Sequence, residues 1–482
     1  MSLYLAALLL YSAFLMALGV YIGRRVRNSS DFLVAGRSLG PGRLFATFLA
    51  ANIGAGSTVG ATGLGYRFGM SAWWWVGSAG IGTFLLSQFL GPRVWRIARE
   101  HRFATLQDFL EFRYNKTVKG IISALFWCGS MAILAAQLIA MSWILNTVAG
   151  IPKWAGCAIG GIVAIVYCTA GGLMSSAFVN MFELAVTMTG LLLAVPFALR
   201  ALGGWSHMHA LVLAQEGAAA APMFSVVGAG AKQVLAWIAI LLPSFMISPG
   251  LVQKLYGARD VKTVRLGVGL NSLGQAVFAF VPPVLGLCAL AALPHLANPE
   301  LALPAAMKFL LPKWLGVFTL ASIFSAELSA TDAILFMLST SLAVDFYKTF
   351  WKPGISQREL LAASRAASAG AGVIGVALAI VLPSIIAAIS IFYGLIAVAL
   401  FVPVLGGLYS DRILPAAAVA SILSAVCATL LSSLLTHGQG VGVASPQAIG
   451  IFTAAVVMIG FRILAPGRAR NNLAFVGGTG AR

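Results

Sequence analysis

Three acidic residues sit inside long apolar stretches: Glu183, Glu327 and Asp332. A carboxylate at the centre of a bilayer costs about 2.5–3.5 kcal/mol on insertion scales, so each is expected to face the protein interior and to have a task. The richest stretch is Ala326-Glu327-Leu328-Ser329-Ala330-Thr331-Asp332-Ala333. In a helix, Ala326, Ser329 and Asp332–Ala333 share one face and present a hydroxyl and a carboxylate to a neighbour. Oxygen ligands of this kind suit a hard cation such as Na⁺, by analogy with other hard ions. A protonated acid in an interhelical hydrogen bond is the alternative reading.

Two apolar stretches carry helix breakers where a span would cross the membrane centre. One reads Leu49-Ala50-Ala51-Asn52-Ile53-Gly54-Ala55-Gly56-Ser57-Thr58-Val59-Gly60, with Gly63 and Gly65 beyond it. The other reads Pro243-Ser244-Phe245-Met246-Ile247-Ser248-Pro249-Gly250. A broken helix in lipid exposes backbone groups that need partners, and it is tolerated where the gap lines a cavity. The two stretches lie five spans apart and run in opposite directions. That is the signature of an inverted five-helix repeat with a binding site at the breaks. Glycines serving only close helix packing are the alternative.

Composition dictates what surrounds these residues. Of 482 residues, 60% are hydrophobic and 9% charged, against about 25% charged in a soluble domain. About thirteen apolar spans follow, at 3–22, 43–66, 71–92, 120–148, 154–170, 178–200, 232–254, 266–291, 315–344, 362–382, 385–408, 413–435 and 446–464, most of them long enough to cross a bilayer as a helix. The predicted fold is therefore an all-α integral membrane protein with two broken helices. Residues 1–42 form an extra helix and loop, 43–200 a first repeat, 201–408 a second, and 409–464 two further helices. A disordered tail spans 465–482. The Ala- and Gly-rich loop 201–231 is expected to hold a short interfacial helix.

The net charge of +18 does not point to nucleic acid, because the basic residues lie between apolar segments rather than in one stripe. Arg24, Arg25 and Arg27 follow the first apolar stretch, opposite to a signal peptide's order. With the N-terminus outside, alternate loops hold 25 of the 31 Lys and Arg, Lys254 among them. This bias places those loops and the C-terminus in the cytoplasm. A bacterial inner membrane is the expected location. The five cysteines show no metal spacing, no enzyme constellation is present, and no obligate protein partner is evident.

At these residues the chain resembles the sodium/solute symporter family, from about Ser30 to Gly407. The resemblance rests on five stretches in order: Asp31 to Gly40, Ala50 to Ile53 with Gly65-Tyr66, Tyr167 to Ser175, Gln253 to Asp260, and Ser329 to Asp332 followed by Asp345-Phe346-Tyr347. It implies Na⁺-coupled transport of a small solute. It also implies a sodium site made by the backbone carbonyls of Ala50, Ile53 and Ala326 with the hydroxyl of Ser329. The family usually places a second hydroxyl next, where this chain has Ala330. Asn180 stands where many members have Asp. A proton carried by Glu327, Asp332 or Glu183 therefore remains the alternative coupling ion, as does uncoupled, facilitated transport.

The resemblance places the solute between the two breaks and the third span, with Asn52, Ser57, Thr58, Trp73, Trp75, Ser244, Phe245 and Ser248 as candidate lining residues. The polar groups a sugar carrier would want are thin there, which favours an organic acid or amino acid. Arg67 could attract an anion or serve as an interfacial anchor. A transporter-like sensor is a further reading, without an appended domain to support it. Nothing suggests a channel filter of repeated carbonyl loops.

Overall fold

A computed structural model describes residues 3–23, 37–296 and 298–464, with the side chains of 167–183 and Ser329 among those left undescribed. Helices dominate, and no named strand occurs among the described residues. They are α1 (Leu3–Gly23), α2 (Pro41–Asn52), α3 (Val59–Phe68), α4 (Trp73–Leu85), α5 (Gly91–Glu100) and α6 (Leu106–Arg113). Then come α7 (Lys116–Ala149), α8 (Lys153–Ala201), α9 (Trp205–Glu216), α10 (Ala231–Ile247), α11 (Pro249–Tyr256), α12 (Val261–Phe278) and α13 (Val281–Ala292). The last are α14 (Ala302–Phe309), α15 (Lys313–Thr340), α16 (Gln357–Val381), α17 (Ile385–Tyr409), α18 (Pro415–Leu435) and α19 (Pro446–Leu464).

Each of the thirteen expected stretches is mostly helical. Among the described residues, nine helical segments are long and apolar enough to cross a membrane. The stretches at 154–170 and 178–200 fall within the single helical run α8, so no non-helical connection separates them. The loop after α8 does contain a helix, α9, as its composition suggested. The Arg24–Arg27 cluster and the tail from 465 lie outside the described residues.

The helices are apolar on the outside. In α12, Leu266, Leu270, Leu273 and Val277 are exposed, while Asn271, Ser272 and Gln275 are buried. A soluble helix buries its apolar stripe. Here lipid solvates that stripe, and the polar side chains find partners inside: Ser272 Oγ donates to the Gly80 carbonyl at 2.7 Å.

Two groups of helices pack against each other. α4 packs on α10 and α12, α2 on α12, and α3 on α13. In the second group, α15 packs on α8 and α7, and α16 packs on α8 and α7. α17 lies between them, against both α7 and α10. Small residues permit the closest approaches. A Cβ on Gly286 would lie 2.5 Å from the Tyr66 amide nitrogen, and one on Gly65 would lie 2.7 Å from Pro283 Cα, so α3 and α13 touch backbone to backbone.

Candidate solute and cation site

The first breaker stretch unwinds as its sequence predicts. α2 ends at Asn52, α3 starts at Val59, and Ile53–Thr58 between them is not helical. The amides that would continue the helix are engaged elsewhere. Gly54 N–H donates to Ser57 Oγ at 3.0 Å, Ala55 N–H to Gln137 Oε1 at 2.7 Å, and Ser57 N–H to the Gly54 carbonyl at 2.9 Å. The carbonyls of Ala50, Ala51 and Ile53 thereby lose their helical donors. Trp75 Nε1–H donates to the Gly56 carbonyl at 2.8 Å and fixes the loop from α4.

The second break is narrower than expected. Pro243 sits inside α10 without ending it, and Ser244 remains helical, its Oγ donating to the Ile240 carbonyl at 2.6 Å. Only Ser248 leaves helical geometry, with φ −53° and ψ 121°. Pro249 then occupies the first turn of α11, where its missing N–H costs nothing.

The two breaks open onto one cavity of about 70 Å³. Asn52, Gly56, Ser57 and Ser248 line it from the breaks, and Trp75 and Phe245 from α4 and α10. Three expected lining residues do not. Thr58 is buried against α15, its Oγ1 donating to Glu327 Oε1 at 2.6 Å. Trp73 turns away, packing edge-on to Trp74 at 5.1 Å and against Phe280 at 5.8 Å. Ser244 is spent on backbone, its one hydroxyl proton shared between the Ile240 carbonyl and the Tyr393 carbonyl, which lies 2.7 Å from Oγ.

Sequence reasoning missed four polar contributors: Gln137, Lys254, Gln275 and Tyr393 all line the cavity. Lys254 is the main correction. Counted above among cytoplasmic loop cations, it is 2% exposed on α11. Its Nζ donates to the Thr47 carbonyl of α2 at 3.2 Å, and the Asp332 carboxylate of α15 acts on its charge. The glutamines carried a signal of the same kind as the acids, a polar group in an apolar span.

α15 brings its polar face to the first break. Ala50, Ile53 and Ala326 are all buried. A Cβ on Gly54 would lie 2.5 Å from Ala330 Cβ, so the unwound loop rests directly on that turn of α15. Glu327 is 0% exposed. The side chains of Ser329 and Glu183 lie outside the described residues. Arg67 stacks over Phe68 at 5.3 Å, as an interfacial anchor would. Away from the breaks, Leu39 N–H donates to the Gly257 carbonyl at 2.9 Å and Arg259 N–H to that of Leu39 at 3.1 Å. These bonds tie the start of α2 to the end of α11.

Known proteins share both sequence and fold. The chain is 28% identical over 366 residues to the sodium/pantothenate symporter of Escherichia coli, covering 70% of this chain and 71% of that one. It is 23% identical over 392 residues to the sodium/glucose cotransporter of Vibrio parahaemolyticus, covering 74% and 71%. The structure of a Na⁺-coupled sialic acid symporter, in a substrate-bound outward-open state, superposes with a TM-score of 0.81 at 17% identity, over 97% of this chain and 99% of that one. A nucleobase-cation-symport-1 family transporter in a closed conformation superposes at 0.58 with 14% identity, over 91% and 96%. The model of the sodium:solute symporter family matches residues 32–425, and the chain belongs to that family.

Proposed function

We propose that the protein moves a small organic solute across the membrane together with Na⁺, by alternating access of the cavity between the two breaks. The observation that carries this reading is the shared cavity. Both breaks open onto it, and the first break also rests on α15. A solute and a cation bound there would share the Ile53–Thr58 loop, so each would change the loop the other needs. Such shared contact is what couples two ligands thermodynamically. The Na⁺ would take the carbonyls of Ala50, Ile53 and Ala326 and the hydroxyl of Ser329.

An organic acid or amino acid is the favoured solute. α3 and α11 both begin at the breaks, so the positive ends of their dipoles lie there. The volume of about 70 Å³ suits a compact solute. Ligand-induced thermal stabilisation tests the class. A ligand at about 100 times its Kd stabilises by about 2.7 kcal/mol. Among organic acids, amino acids and sugars offered in Na⁺, an acid should raise the unfolding temperature; stabilisation by sugars alone would reverse the assignment.

A further inference from the structure

We propose that the Glu327 carboxylate is itself a ligand of the coupling cation. This rests on the Na⁺ reading above and adds a charged group to a site otherwise built from neutral oxygens. Glu327 is fully buried, and its Oε1 accepts one hydrogen bond, from Thr58 Oγ1 at 2.6 Å. Its Oε2 has no hydrogen-bond partner among the described residues. No salt bridge reaches it there either: the ion pairs present join Lys119, Arg259 and Lys352 to other acids. The buried cation nearby, Lys254, is engaged with Asp332 and Thr47. A buried carboxylate in this condition is expensive unless a positive charge or a proton joins it.

The placement says what that positive charge is for. Glu327 and Ala330 are three residues apart and share a face of α15. Both meet the unwound loop, Ala330 at Gly54 and Glu327 at Thr58. Ala330 offers only a methyl where the family resemblance implies a hydroxyl. One turn back on the same face, Glu327 supplies an oxygen with a full charge. A monovalent cation between Oε2 and the carbonyls freed at Ala50 and Ile53 would be neutralised by it. Carboxylates strengthen cation sites through such added charge.

Direct ²²Na⁺ binding to the purified full-length protein tests this. The wild type should bind saturably, and Glu327→Gln should raise the half-saturating Na⁺ concentration at least tenfold. Ala330→Ser in the Glu327→Gln background should recover part of the loss. Glu327→Asp, which keeps the charge on a shorter arm, should fall between and serves if the Gln variant does not fold. Wild-type binding that Glu327→Gln or Glu327→Asp leaves unchanged would overturn the proposal alone, making Glu327 a protonated hydrogen-bonding group. No saturable wild-type binding would overturn the Na⁺ reading with it.

Discussion

Lys254 Nζ lies 3.2 Å from the carbonyl of Thr47, joining the two half-helices that lie on one side of the cavity. Thr47 is in α2 and Lys254 in α11. With the Leu39–Gly257 and Arg259–Leu39 bonds, this contact holds those halves together. Any opening of the cavity between α2 and α11 must separate them.

Lys254 and Asp332 are both buried, and the carboxylate acts on the charge of the amine. Removing one of two such charges leaves the other uncompensated, at a cost of about 3–5 kcal/mol where the two are paired. Lys254→Met is therefore expected to lower the unfolding temperature strongly, and Asp332→Asn added to it to recover much of the loss. Fluorescence-monitored thermal unfolding of the single and double variants measures this. Additive losses would mean that the two charges do not depend on each other.

The unwound loop has little room for a side chain at its two glycines. A Cβ on Gly54 would sit 2.5 Å from Ala330 Cβ, and one on Gly56 would sit 2.7 Å from Ile389 Cδ1. Gly56→Leu should abolish transport while sparing membrane insertion, since the added side chain fills the cavity. Gly54→Ala should impair transport as well, because Ala330 Cβ is rigid and cannot step aside. Expression, insertion and uptake compared in one host test both; full uptake by Gly56→Leu would show that the cavity is not on the solute's path.

The first break was legible because five small or hydroxylated residues in a row, Gly54 to Thr58, sustain a helix poorly. The second was legible only to within a few residues, because Pro243 marks a helix interior here and Pro249 a helix start. Lys254 was not legible. A basic residue at the end of an apolar run reads as a loop cation, and only the fold returns it to the core. The Thr58–Glu327 contact spans 269 residues, and no local pattern announces a partner at that distance. Among Trp73, Trp74 and Trp75 the helix phase decides which indole faces the cavity, and composition is silent on phase.

Glu300 gives a pH signature outside the spans. Its carboxylate accepts from the amides of Ile385 at 2.7 Å and Ile386 at 3.4 Å and from Trp143 Nε1 at 3.2 Å. Burial raises its pKa above the ordinary 4.5, against the lowering effect of those donors. A carboxyl with a raised folded pKa stabilises fully below its unfolded value, and that stability is lost as pH rises through the folded one. Glu300→Gln, which keeps an acceptor for Ile385, should hold its unfolding temperature at neutral pH. It should also flatten the fall in stability above pH 4.5. A steeper fall in the variant would contradict this.

Reporter fusions test the orientation expected from the basic loops. Fusions at His207, in α9, and at Arg470 should report opposite sides of the membrane. The same signal from both would show that the span parity is wrong.

A Na⁺ gradient is expected to drive the solute. The direct measurement is accumulation of a stabilising solute by proteoliposomes under an imposed inward Na⁺ gradient, with a protonophore present and the membrane potential clamped. Accumulation above equilibrium that persists with the protonophore is expected. Ser329→Ala should raise the half-activating Na⁺ concentration tenfold or more, a loss of about 1.4 kcal/mol, and Ala330→Ser should lower it. Accumulation that ignores the Na⁺ gradient and collapses with the protonophore would show a proton-driven carrier instead, and equilibration without accumulation a facilitator.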